Sequence, residues 1–158
     1  MQTIVFKNEE QTKAFAHDLA KLCQPGDILL LTGDLGAGKT TFTKGFAAGL
    51  GITQMIKSPT YTLIKEYDDG HIPLYHMDVY RLTEGASDLG LDDYLEGDGI
   101  CLIEWGSMIK QEVFTPYFEL FLQTTPNNDR ELYMTISNPI LTKRLDDMLA
   151  LMRRHQEA

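Results

Sequence analysis

Apolar positions along the chain switch between two spacings, and the switches mark out its elements. Residues 3–7 alternate weakly, as a short strand does. Asn8 then stands as a helix N-cap with Gln11 at the third helical position. Phe15, Leu19 and Leu22 recur at helical spacing until Pro25-Gly26, which predicts a helix near 9–23. Residues 27–32 are continuously apolar at their centre, Ile28-Leu29-Leu30-Leu31, as a strand covered on both faces of a parallel sheet must be. A second helical run carries Phe42, Phe46 and Leu50 at i, i+4 and i+8 and ends at Gly51.

Further along, residues 61–67 and 72–77 are strand-like and are joined through Asp68-Asp69-Gly70, the turn chemistry of an antiparallel hairpin. Residues 99–103 form another apolar strand, and the strand-like stretches 118–124 and 131–137 flank Pro126-Asn127-Asn128-Asp129, a second hairpin. From 139 to about 155 the apolar residues Leu141, Leu145, Met148, Leu149 and Met152 fall on one helical face. Strands that alternate with helices early and pair as hairpins later predict an α/β fold with a mixed parallel and antiparallel sheet flanked by helices. With 158 residues, 43% of them hydrophobic, the chain can bury one core and is too short for two ordinary domains, so a single domain over 1–158 is expected.

Between the apolar strand at 27–32 and the helix that follows lies Gly33-Asp34-Leu35-Gly36-Ala37-Gly38-Lys39-Thr40-Thr41. Gly33, four residues, then Gly38-Lys39-Thr40 is the pattern of a phosphate-binding P-loop, in the strand-to-helix context that the pattern requires. Glycines let backbone N–H groups turn inward on phosphate oxygens, and the helix beginning there adds unpaired amides and its positive dipole end. Lys39 reaches the β- and γ-phosphates, the Thr40 hydroxyl completes the shell of a bound Mg²⁺, and Thr41 supports an α-phosphate oxygen. A Gly-rich turn with no ligand would leave Lys39 unexplained.

A phosphate site of this kind needs a second acidic residue at the end of a neighbouring buried strand, and Ile100-Cys101-Leu102-Ile103 leads to Glu104. Glu104 reads as the second Mg²⁺ anchor, or else as a carboxylate bonded to a nearby amide or lysine. Trp105 reads either as a core anchor or as lining for a nucleotide or partner surface. In His76-Met77-Asp78-Val79-Tyr80-Arg81, Asp78 falls where a strand ends, placed to face a γ-phosphate and orient either the attacking water or a Mg²⁺-bound water. His76 is two residues away and so on the same side of the strand, and in isolation it reads as a satisfied structural histidine in preference to a catalyst. Tyr80 and Arg81 read as packing against, or pairing with, the acidic segment that follows. Ser58-Pro59-Thr60 reads as a γ-phosphate sensor or as an ordinary turn.

Charge narrows the function classes. A net charge of −9 argues against a domain that grips nucleic acid through its own basic surface and favours an indirect nucleic-acid role. Glu84, Asp88, Asp92, Asp93, Glu96 and Asp98 concentrate the acidity without an intervening Lys or Arg, as a solvated face or as a docking surface for a basic partner. Cys23 and Cys101 are far apart with no metal-ligand spacing and read as small buried hydrophobes. No apolar run has the length to span a bilayer and the N-terminus lacks the order of a signal peptide, so a cytoplasmic protein without membrane contact is expected. A small-molecule P-loop kinase is the main alternative, but its lid needs several arginines, and the five here, Arg81, Arg130, Arg144, Arg153 and Arg154, form no Arg-rich insertion. No Asn-Lys-x-Asp guanine signature supports GTP.

GDLGAGKTT, SPTYTL, HMDVYR and IEW, in this order and spacing, resemble the TsaE family of bacterial tRNA threonylcarbamoyladenosine biosynthesis ATPases. The resemblance runs from the first helix to the hairpin before the tail, and the terminal helix with Lys143, Arg144, Arg153 and Arg154 matches least. It implies a P-loop ATPase that uses ATP and Mg²⁺ and acts with two partners, TsaB and TsaD, to install threonylcarbamoyl on the adenosine next to the anticodon of tRNAs reading codons that begin with A. TsaD would carry the transfer chemistry, and the present chain an ATP-driven step that resets the complex between turnovers. By that resemblance Thr40 and Glu104 hold Mg²⁺, and Gly36, Ala37, Gly38, Lys39, Thr40 and Thr41 hold phosphates. Asp78 is needed for hydrolysis together with Lys39 and Glu104, and Thr12 and Arg130 lie near the nucleotide.

Overall fold

Seven strands and four α-helices are found among the residues that the computed structural model describes, 2–34, 36–57, 64–78, 91–105, 110 and 113–157. The strands are β1 (Thr3–Phe6), β2 (Ile28–Thr32), β3 (Ile64–Tyr67), β4 (Leu74–Asp78), β5 (Ile100–Glu104), β6 (Phe118–Thr124) and β7 (Arg130–Ile136). The helices are α1 (Glu9–Ala20), α2 (Lys39–Gly49), α3 (Leu91–Leu95) and α4 (Thr142–Glu157). The strands form one mixed sheet in the order β1-β7-β6-β2-β5-β4-β3. β2 is central and runs parallel to both its neighbours, β5 and β6, and β4 runs parallel to β5. The expected hairpins are both present and antiparallel, β3 with β4 and β6 with β7. β1 crosses over to pair antiparallel with β7 on the edge, with Phe6 opposite Arg130.

The continuous apolar runs explain why the sheet is covered on both faces. Leu29 and Leu31 of β2 join the core under α1, α2 and α4, while Ile28 and Leu30 join the core on the other face with Leu91, Leu95 and Ile103. Leu29, Leu30, Phe15, Phe42 and Phe46 are completely buried.

α1 starts as its sequence dictates. Asn8 Oδ1 accepts from the Gln11 N–H at 2.9 Å, and Gln11 reaches back with Oε1 to the Lys7 N–H at 2.7 Å. The α-helix stops at Ala20 rather than near 23, because the next N–H groups, of Lys21, Leu22 and Cys23, bond three residues back and tighten the last turn ahead of Pro25. α1 and α2 pack closely where Gly45 and Gly49 present no side chain: a Cβ on Gly45 would lie 2.7 Å from Lys13 Cα.

The C-terminal segment begins with a 3-10 turn, Pro139–Leu141, capped by Asn138 Oδ1 accepting from Ile140 N at 2.9 Å. α4 follows and buries Met148 and Met152 as expected, together with Leu151, while Leu145 and Leu149 are half-buried. Arg144 ties α4 to the entrance of β2, donating to Asp27 Oδ1 at 2.7 Å with its ring-face contact on Phe118 at 5.1 Å. Cys23 and Cys101 are buried free thiols, and burial pushes Cys101 up to about 12. Of the acidic segment, Asp92, Asp93, Glu96 and Asp98 are exposed around the buried Leu91 and Leu95. Residues 58–63 and 79–90, with the sensor reading of Ser58-Pro59-Thr60, the roles of Tyr80 and Arg81, and Glu84 and Asp88, lie outside the described residues.

Candidate functional site

Strand directions bring one set of ends together. The carboxyl ends of β1, β6, β2, β5 and β4 and the amino end of β7 share an edge of the sheet, and crevices at such an edge are where open α/β sheets take ligands. A cleft of about 440 Å³ opens there, walled by the loop after β2, the first turn of α2, the β1–α1 junction, Asp78, Glu104, Trp105 and the tip of the β6–β7 hairpin.

The loop has the geometry of an anion cradle. Gly36 and Gly38 are left-handed, with φ of 83° and 99°, a conformation that favours glycine. A Cβ on Gly33 would collide with the Leu122 carbonyl oxygen of the neighbouring strand. Gly38 caps α2 without any side-chain bond to its amides, leaving the first turn's N–H groups and the positive helix end directed at the cleft. Gly36, Gly38, Lys39, Thr40 and Thr41 all line it. Ala37 differs: it is buried, and its N–H donates to the Asp34 carbonyl at 3.0 Å.

Lys39 is 7% exposed. Its Nζ donates to the Gly33 carbonyl at 2.7 Å and lies 3.9 Å from the centre of the Trp105 ring. Burial pushes its ammonium below the ordinary lysine value, while the carboxylates of Glu104, Asp78 and Asp34 act in the opposite direction. Trp105 is half-buried: it lines the cleft wall and also packs against the core on the Ile28–Leu30 face of the sheet, so it combines the surface and core readings. It holds a left-handed φ of 60° immediately after β5, with its N–H donated to the Leu31 carbonyl at 3.2 Å.

Asp78 and Glu104 close adjacent parallel strands and are direct register partners. Both line the cleft, on the sheet face that also carries His76. His76 is 1% exposed and its Nε2 lies 2.6 Å from Glu104 Oε2. Thr40 and Glu104 together offer hard oxygen donors of the kind Mg²⁺ takes, and the cradle offers amides suited to phosphate oxygens, so the residues present fit a magnesium nucleotide.

Thr12 and Arg130, singled out through the family resemblance, line the same cleft from α1 and β7. Arg130 donates to the Asn128 and Asp129 carbonyls at 3.1 and 3.3 Å, which holds its guanidinium at the hairpin tip. Phe6, Asn8, Glu9 and Asn128 also line the cleft, and the motif reading passed over them. Their sequence signals concern local structure only: Phe6 ends an edge strand, Asn8 caps α1 and Glu9 opens it, and Asn128 has a left-handed φ of 64° in the hairpin turn.

Comparison with known proteins bears on the same stretch of chain. Residues 6–132 match the family described as threonylcarbamoyl adenosine biosynthesis protein TsaE. The chain is 52% identical over 128 residues to the tRNA threonylcarbamoyladenosine biosynthesis protein TsaE of Bacillus subtilis (strain 168), an alignment that covers 81% of each. With the protein of the same name from Nostoc sp. it shares 40% identity over 153 residues, 90% of this chain and 94% of the relative. Among solved structures it is similar to the crystal structure of Bacillus subtilis YdiB, with a TM-score of 0.82, 43% identity and 93% of each chain covered.

Proposed function

The chain belongs to the TsaE family, and on that premise we propose that its cleft binds ATP with Mg²⁺ and hydrolyses it during the formation of threonylcarbamoyladenosine in tRNA. The observation that carries this reading is the meeting of Lys39, Thr40, Asp78 and Glu104 in one cleft at the mouth of a glycine cradle. Lys39 and the first-turn amides of α2 hold the β- and γ-phosphates. Arg130 and Thr12 hold the nucleotide from the opposite wall. Thr40 and Glu104 would hold the magnesium ion, which would supply neutralisation of charge on the phosphate oxygens. Asp78 orients a water against the γ-phosphorus and accepts its proton as the bond to the bridging oxygen breaks, leaving ADP and phosphate.

The partners in this proposal are TsaB and TsaD, and tRNA is met through them. A chain with a net charge of −9 is poorly suited to grip tRNA phosphates itself. Among the described residues no helix is long and apolar enough to cross a membrane, which fits a protein that works beside tRNA. The kinase alternative draws no support: the relatives carry the name of a tRNA modification protein, and Arg130 is the arginine that the described cleft offers.

Asp78→Ala separates binding from chemistry. Calorimetry with ADP and Mg²⁺ is expected to give near wild-type affinity, while ATP turnover with the partners falls at least about 100-fold, the loss typical of a missing general base. Lost binding in calorimetry would make Asp78 a structural residue instead, and unchanged turnover would remove it from the reaction.

A further inference from the structure

We infer that His76 is the positioning residue for Glu104, fixing which carboxylate oxygen faces the cleft and thereby setting how tightly the site holds the divalent ion. This rests on the proposed reading of the cleft as a magnesium nucleotide site. Glu104 is 6% exposed, and the 2.6 Å contact between its Oε2 and His76 Nε2 is made between two buried groups. An ionised carboxylate only accepts, so Nε2 carries the proton and donates. The bond commits Oε2 and leaves Oε1 for the cleft, which Glu104 lines and His76 does not. His76 therefore acts through Glu104 rather than on a nucleotide.

The strand register makes the arrangement rigid. His76 pairs with Leu102 and Asp78 with Glu104 on adjacent parallel strands, so the imidazole sits one step behind the two carboxylates on the same face. Packing does not account for the ring. Its Nδ1 is buried with no hydrogen-bond partner among the described residues, a cost that an apolar side chain of similar volume would avoid. What the imidazole adds over leucine at this place is the single N–H directed at Glu104. Outer groups that orient a metal ligand in this way commonly change metal affinity by about 10- to 100-fold when removed.

The test is a titration of a fluorescent ADP analogue, first without metal and then with increasing Mg²⁺, on wild type, His76→Leu and His76→Gln. Leucine fills the volume without a donor, and the glutamine amide restores an N–H at a similar reach. Without metal, all three are expected to bind the analogue alike. The Mg²⁺ concentration for half-maximal enhancement should rise about 10- to 100-fold in His76→Leu and return close to wild type in His76→Gln. A wild-type Mg²⁺ requirement in His76→Leu overturns the inference, as does a glutamine variant as impaired as the leucine one. Should the leucine variant fail to fold, His76→Asn takes its place, because the shorter amide stays polar yet falls short of Glu104, and the same outcomes decide. A wild-type protein whose nucleotide affinity ignores Mg²⁺ would overturn the metal reading of the cleft itself, and is told apart by appearing in the wild type.

Discussion

Lys39 is a buried cation held by a carbonyl, an aromatic face and nearby carboxylates, and these partners come from three places: the loop after β2, the end of β4 and the end of β5. Burial favours losing its proton and lowers its pKa overall, while the carboxylates of Glu104, Asp78 and Asp34 act against that. Lys39→Ala is expected to lower ATP turnover by at least about 100-fold, as removal of a preorganised electrostatic group does, while the circular dichroism spectrum stays that of the wild type. Wild-type turnover in this variant would remove the loop from the chemistry. Lys39, Thr40, Asp78 and Glu104 were legible in the sequence because each belongs to a contiguous motif with its own local geometry. Phe6 and Asn128 were not, because they reach the cleft only through the pairing of β1 with β7, a contact between chain segments more than a hundred residues apart. His76 was legible as a structural histidine but not as a partner of Glu104, since the two meet across β4 and β5.

Among the elements, α1 and α2 determine the shape of the cleft, since the first turn of α2 carries Lys39, Thr40 and Thr41 and α1 carries Thr12. Their separation is set by Gly45 and Gly49, where a side chain would meet the α1 backbone at Lys13 and His17. Gly45→Ala should therefore destabilise the fold by about 1–3 kcal/mol through overpacking, although alanine is the better helix former by roughly 1 kcal/mol. Denaturant unfolding checks this, and a variant as stable as the wild type would mean that the helices part without cost. At this scale the apolar spacing predicted the strands and the helices α1, α2 and α4 but not the five-residue α3, and the hairpins were legible from their turn residues. Helix ends were less so: α1 stops early because its final turn tightens to bonds three residues back, a choice that the even spacing of Phe15, Leu19 and Leu22 does not encode. The terminal helix matched the family least, and the matched region indeed ends at residue 132, yet α4 contributes Met148 and Met152 to the core and clamps Asp27 through Arg144.

Across the whole molecule, the strand order turns separate motifs into one site. β2 ends between β5 and β6, so the phosphate loop has Glu104 and Asp78 on one side and the hairpin tip with Arg130 on the other. The mixed sheet was legible from the hairpins, whereas the place of β1 beside β7 was not, because an edge strand of four residues carries no signal of its partner. With a net charge of −9, the chain suits the proposed role of acting on a complex that itself holds the tRNA. The most direct measurement is Mg²⁺-dependent ATP hydrolysis by the chain alone and with TsaB and TsaD, run in parallel with tRNA threonylcarbamoylation over many turnovers. Slow hydrolysis alone, a marked rise with the two partners, and modification that stalls after one round without ATP turnover are the predicted results. Hydrolysis unaffected by the partners, or repeated rounds of modification with Lys39→Ala in place of the wild type, would contradict the account.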